Sequence, residues 1–224
     1  MDSNGGIVFI ILAVGIALAI VILQVHLQAQ RRKTLAEFCF RMGWSFSADD
    51  PIGLSCCNGF KCLCEGYDQR AHNVMQGTFS DMGFTGFDYR YTTGSGKHRQ
   101  VHHLSAVIAQ ARYPLKDMFI RPEGFGDRLA GMLGFDDIDF EWEEFNRAYY
   151  VKASDKAFAY DVINQKMMEY LMDNRGWSVQ ITGADMIVHT GSIFDADGFL
   201  AALNFSRVFL ELLPDYLVDK LRGQ

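Results

Sequence analysis

The hydrophobic pattern changes period twice along this chain. Residues 7–25 read IVFIILAVGIALAIVILQV, apolar on every side except at Gln24. A helix of that length rises about 28 Å at about 1.5 Å per residue, close to the thickness of a bilayer's hydrocarbon core. A cleaved signal peptide would need a basic stretch before the run and a small-residue cleavage site after it. The preceding MDSNGG holds no Lys or Arg, and Leu27-Gln28-Ala29 is a poor site. No cysteine ends the run to carry a lipid. A core helix of a soluble protein is seldom apolar all round for five turns. The pattern predicts a membrane anchor over residues 1–27, touching the lipid bilayer through 7–25.

Beyond it the period becomes 3.6. Leu35, Phe38, Cys39 and Met42 fall at helical spacing and Gly43 is a natural stop, so 33–42 reads as a short helix docking on the downstream domain. Asp49-Asp50-Pro51 breaks regular structure. We assign 28–50 to a juxtamembrane helix and linker, and 51–224 to one globular domain.

The first hundred residues of that domain read as β. Asn58-Gly59 between Ser55-Cys56-Cys57 and Phe60-Lys61-Cys62 is a hairpin signal. From 85 to 93 the odd positions carry Phe87, Tyr89 and Tyr91 while Asp88 and Arg90 fall between them, the period of a half-buried strand. A turn at 93–96 leads to a strand over 101–110. Further strands are expected at 117–121 and 146–153. The last third turns helical. Asp155 and Asn164 are placed to cap two short helices, and strands at 177–182 and 186–189 flank Gly183-Ala184-Asp185. Asp195 or Asp197 caps a longer helix whose Phe199, Leu203, Phe209 and Leu210 share a core-facing side. Strands first and helices later make an α+β fold, antiparallel in its first part.

Charge sets the orientation. Nothing basic precedes the apolar run, and Arg31, Arg32 and Lys33 come after it, so the positive-inside rule puts the N-terminus outside and the domain in the cytoplasm. The expected location is the inner (plasma) membrane, crossed once. The 21 Lys+Arg against 27 Asp+Glu give a net charge of -6, which argues against nucleic acid as a partner. Five cysteines, four of them at 56, 57, 62 and 64, fit a reducing compartment.

Candidate chemistry is thin. Gly94-Ser95-Gly96-Lys97 lacks the first glycine of a phosphate loop and is followed by His98, which offers no hydroxyl to magnesium. Cys56, Cys57, Cys62 and Cys64 lack the paired knuckle spacing of structural zinc and read as small buried hydrophobes. His102 and His103 are adjacent on a strand and point to opposite faces. Residues 136–144 concentrate the acids. As a strand they would align Asp137, Asp139 and Glu141 on one side, a set of carboxylates able to bind a metal or do acid–base work, though a charged edge that blocks strand pairing is the simpler reading. We expect no cofactor and no resident metal.

Several stretches carry a resemblance: Asn73-Val74-Met75-Gln76-Gly77, Phe87-Asp88-Tyr89-Arg90-Tyr91 through Lys97, Arg121-Pro122-Glu123, Asp137-Ile138-Asp139-Phe140-Glu141 through Phe145-Asn146-Arg147, and Met167-Met168-Glu169. Together they resemble an uncharacterised bacterial family found mainly in actinobacteria. The resemblance spans most of 30–213 and implies an N-terminal membrane helix with a cytoplasmic α+β domain. It carries no catalytic residues over. The expectation is a membrane-anchored binding or scaffolding module with a protein partner at the membrane. The alternative is a membrane-tethered hydrolase or metal-dependent enzyme using 136–144.

Overall fold

The computed structural model describes residues 3–54, 59–123 and 137–223. The apolar run and the predicted docking helix are one element. Helix α1 runs unbroken from Ser3 to Met42, 40 residues. Among the described residues it is the one helix long and apolar enough to cross a bilayer, with a stretch of mean hydropathy 2.3 that is not buried at all. No Gly, Pro or capping residue interrupts 26–32, so nothing ends the helix between its two halves. It stops where the sequence places the stop. Gly43 takes φ 71°, its N–H bonds to the Phe40 carbonyl at 3.2 Å and the Trp44 N–H to the Cys39 carbonyl at 2.9 Å. That pair of bonds closes a helix through a left-handed glycine.

Eight strands come next: β1 (Ser45–Ser47), β2 (Tyr67–Phe79), β3 (Met82–Thr93), β4 (Gln100–Gln110), β5 (Met118–Pro122), β6 (Tyr149–Ala153), β7 (Ser178–Thr182) and β8 (Asp185–His189). They form one sheet in the order β1-β2-β3-β4-β8-β7-β5-β6, and each neighbouring pair is antiparallel. Between β5 and β7 lie α2 (Glu143–Ala148), α3 (Lys156–Val162) and α4 (Gln165–Asp173). After β8 come α5 (Ala196–Glu211) and α6 (Asp215–Arg222). Asp155, Asn164 and Asp195 cap α3, α4 and α5, accepting from the N–H groups of Phe158, Met167 and Gly198. The α+β class holds.

Both faces of the sheet are covered. One carries the larger core, where Leu35, Phe38 and Cys39 of α1 join Phe199, Leu203 and Phe209 of α5 over Phe84, Val107 and Val188. On the other, Leu54, Phe60, Cys62 and Leu63 cover Phe87, Tyr89, Ala106 and Ile108. Thus β3 is not half-buried as its alternation implies. Its aromatic side meets the 54–63 segment, and its polar side lies under helices.

Two further expectations change. Residues 60–62 are not a strand: Lys61–Leu63 forms a 3-10 turn, and Asn58 with 55–57 lies outside the described residues. The strand expected at 146–153 begins only at Tyr149, because Glu143–Ala148 is helical. The 13-residue β2 has no clean period in sequence. Asp68 and Asn73 take positive φ (52° and 50°), and the register with β3 shifts between Tyr67 and Arg70 and between His72 and Met75. Each bulge moves the subsequent side chains to the opposite face.

His189, at the end of β8, is 4% exposed. Burial depresses its imidazole to about 4. The folded chain therefore keeps His189 neutral while the unfolded chain takes up a proton near pH 6.5. Stability from this residue is present above about pH 6.5 and is lost as pH falls from there toward about 4. Denaturant unfolding of the full chain in detergent, followed by tryptophan fluorescence, should show His189→Leu losing about 2–3 kcal/mol less than the wild type between about pH 7 and pH 4.5. Equal losses would contradict this role.

Candidate functional site

The residues that converge in this structure are those joining α1 to the sheet. Asp88 sits mid-strand in β3, paired across to Ser105 of β4 and His72 of β2, and is 2% exposed. A lone carboxylate there would be costly, since burial strips its water. Four hydrogen bonds replace that water. Arg31 donates from Nε to Oδ2 at 2.8 Å and from Nη2 to Oδ1 at 2.7 Å. Asn73 Nδ2 donates to Oδ2 at 2.8 Å and the Ser105 hydroxyl to Oδ1 at 2.6 Å. The Arg31 fork is bidentate, the strongest form of this pair.

The network reaches a third element. Arg31 Nη2 also donates to the Phe194 carbonyl at 2.7 Å. Ser105 Oγ accepts from the Phe194 N–H at 2.9 Å, and the Ser105 N–H bonds to the Ser192 carbonyl at 2.8 Å. The segment leading into α5 is therefore tied to the same carboxylate. Beyond the end of α1, Trp44 holds the helix to the sheet. Its indole N–H donates to the Thr78 carbonyl at 3.1 Å, and its ring meets Phe38 and Phe84 edge-on, with centroids 5.4 and 4.7 Å away. Gly77 makes room for it: a Cβ there would lie 2.4 Å from Trp44 Cδ1.

Beside this junction opens a cleft of about 470 Å³ between α1, β2, β3 and β4. Gln28 and Ile193 stand on its wall with Arg32, Arg70, Arg90, His72 and His103. Arg70 and Arg90 both lean on Asp68, at 3.1 and 2.7 Å. Arg32 makes no ion pair among the described residues. Counting Asp49 and Asp88 from the wall with Asp68 behind it, three carboxylates face four arginines. Burial lowers His72, against the raising field of Asp88, and burial together with Arg90 lowers His103, so both imidazoles favour the neutral form. Asn73 Oδ1, on a residue 2% exposed, has no hydrogen-bond partner among the described residues.

Of the side chains weighed for chemistry in the sequence, His103 lines this cleft, and the described acids of 136–144 do not. Asp136 lies outside the described residues. Asp137, Asp139 and Glu141 are exposed, alternating with buried Ile138 and Phe140. The expected alternation is present, but the segment is extended chain that touches β6 through one bridge, Asp137 to Lys152. Asn146 clamps it, its Oδ1 accepting from the Phe140 N–H at 2.9 Å and its Nδ2 donating to the Phe140 carbonyl at 2.7 Å. Burial and the neighbouring Asp139 raise the Asp137 carboxyl. Among the described residues no three His, Cys, Asp or Glu side chains are grouped to hold a metal. His102 stacks on Tyr91 at 4.7 Å, on the face opposite His103, as adjacent strand positions require. Cys39 and Cys62 are free and buried, the Cys62 thiol pushed up to about 12 by burial. Cys64 departs from the reduced, core-packing reading: it is exposed and disulfide-bonded.

No protein-family profile and no curated protein matches the chain. Its structure is similar to the crystal structure of the mycobacterial trehalose monomycolate transport factor A, TtfA. The TM-score is 0.62 at 11% identity, over 81% of this chain and 93% of that one. At that identity the likeness is one of fold, and it is consistent with the actinobacterial resemblance of the sequence.

Removing either half of the Arg31–Asp88 pair strands the other where water is scarce. Asp88→Ala and Arg31→Ala should each destabilise the full chain in detergent by about 3–5 kcal/mol. The double substitution should cost about 1–3 kcal/mol less than their sum. Strict additivity in denaturant unfolding would show that the two side chains do not act as a pair.

Proposed function

We propose that this chain is a membrane-anchored accessory module. In this reading α1 crosses the inner membrane once with its N-terminus outside. Its cytoplasmic half holds the α+β domain at the bilayer surface, where the domain binds a protein partner. The observation that carries the proposal is the continuity of α1. The helix that is long and apolar enough to cross a bilayer is the same helix that Arg31 pins to Asp88 and Trp44 pins to β2. A domain held this way has a fixed orientation above the membrane, which suits the presentation of a binding face better than a tether would.

Three observations support the parts. The fold is shared with a protein described as a transport factor, a role compatible with accessory work at a membrane. Arg31, Arg32 and Lys33 lie shortly after the apolar run, which favours the cytoplasmic side for the domain. On the outward face of α1, Phe40 is 86% exposed beside Glu37 and Arg41, an aromatic displayed between charges as in protein-binding surfaces.

Cys39 and Cys62 are buried, and in a chain with Cys56, Cys57 and Cys64 replaced by serine introduced cysteines report cleanly. With a membrane-impermeant maleimide on intact cells, Ser3→Cys should label and Lys220→Cys should label only after permeabilisation. The reverse pattern would invert the topology. A benzophenone amino acid at position 40 should crosslink to a membrane protein in the same cells; only self-adducts or none would remove the partner from the proposal.

A further inference from the structure

We propose that the cleft between α1 and strands β2–β4 holds the headgroup of an anionic phospholipid: a phosphodiester with a free hydroxyl on its far side, as in a glycerol or inositol headgroup. The inference deepens the membrane-anchored reading, because it rests on α1 entering the bilayer.

Position favours this first. The apolar run ends at Val25. Gln28 and Arg32 lie three and seven residues further along an unbroken helix, hence about 4.5 and 10 Å beyond the hydrocarbon edge at about 1.5 Å per residue. The polar zone of a leaflet is about 5–8 Å deep. The Gln28 end of the cleft therefore opens at the depth where lipid phosphates lie, and Arg32, a few ångströms above that zone, reaches back into it with its long side chain.

Charge favours it next. Arg31 is saturated by Asp88, and Arg70 and Arg90 share Asp68. Arg32 stands on the cleft wall and, among the described residues, meets no carboxylate. Arginine's planar fork matches a phosphate's paired oxygens. The neutral imidazoles of His72 and His103 each bring a ring N–H able to donate to the same group.

Asn73 sets the chemistry of the headgroup beyond its charge. Its Nδ2 is committed to Asp88, while the buried Oδ1 of this cleft-lining residue has no donor among the described residues. The residue holds a left-handed backbone, φ 50°, at a bulge in β2. A buried carbonyl oxygen left without a partner is costly. A phosphodiester has no proton to offer it at neutral pH, but a headgroup hydroxyl does. With the Asn73 side chain shifted so that its buried Oδ1 meets the cleft, Arg32 on the anion and Asn73 on the hydroxyl make a two-point site that zwitterionic phosphatidylcholine, with neither net charge nor hydroxyl, does not satisfy.

The test is native mass spectrometry of the full chain in detergent, titrated with dihexanoyl phosphatidylglycerol. One saturable adduct is expected. Arg32→Gln should weaken it about five- to tenfold, in line with one cationic contact at a membrane surface. Lys220→Gln, at a distance and with the same loss of charge, should leave it unchanged. Dihexanoyl phosphatidylcholine should not compete, and dihexanoyl phosphatidylmethanol, a phosphodiester of the same charge that lacks the headgroup hydroxyl, should bind more weakly than phosphatidylglycerol. Equal binding of glycerol 3-phosphate, which carries no acyl chain, would reassign the cleft to a soluble phosphate ester and overturn the lipid assignment. Multiple unsaturable adducts, or an Arg32→Gln chain that binds as tightly as wild type, would overturn the site. These outcomes do not depend on which side of the membrane the domain occupies, so failure here and failure of the topology reading are separable.

Discussion

The carboxylate of Asp88 is the point on which the arrangement depends. A charged group in the middle of a sheet with both faces covered is a liability unless its lone pairs find donors. Here the donors come from three different parts of the chain: Arg31 on the long helix, Asn73 on β2 and Ser105 on β4. Through Ser105 and Arg31 the loop ahead of α5 is drawn in as well. The interaction adds little net energy compared with an apolar core of the same volume. What it specifies is geometry, since a bidentate Arg–carboxylate pair tolerates little rotation. The helix thus meets the sheet at one height and one azimuth.

That height positions much of the remaining junction. With Arg31 fixed on β3, the turns after it place Leu35, Phe38 and Cys39 in the core, and the left-handed cap at Gly43 delivers Trp44 onto Gly77. Gln28 and Arg32, on either side of Arg31, stand on the wall of the cleft, and the apolar run lies immediately before them. The helix is stiff across this boundary because it is unbroken from Ser3 to Met42. The apolar run and the domain are therefore joined by continuous helix.

The sequence was legible wherever a single period or a cap ruled. The apolar run, the stop at Gly43, the caps at Asp155, Asn164 and Asp195, and the core side of α5 can all be read without coordinates. Strand β2 could not, because bulges at Asp68 and Asn73 reset its alternation twice. The acidic stretch misleads for the opposite reason: Ile138 and Phe140 do alternate with acids, but a side-chain clamp from Asn146 holds the chain extended instead of a full strand ladder. Asp88 was hidden by a correct pattern. An acid alternating with Phe87 and Tyr89 looks like a solvent-facing position in any sheet with one wet side. Only the knowledge that helices cover that side turns it into a buried charge needing a partner 57 positions away. Arg31 was hidden in the same way, because a basic residue just past an apolar run has a ready explanation in membrane topology.

Helix and domain are held as one rigid body through Asp88, and distances across their junction test this directly. Spin labels at Val21→Cys in α1 and Asp173→Cys in α4, with the full chain in lipid nanodiscs, measure it by pulsed dipolar spectroscopy. A single narrow distance distribution is predicted, broadening when Asp88→Ala is added. A broad distribution in the otherwise wild-type chain, unchanged by Asp88→Ala, would mean that the helix swings freely and that the carboxylate does not set its position.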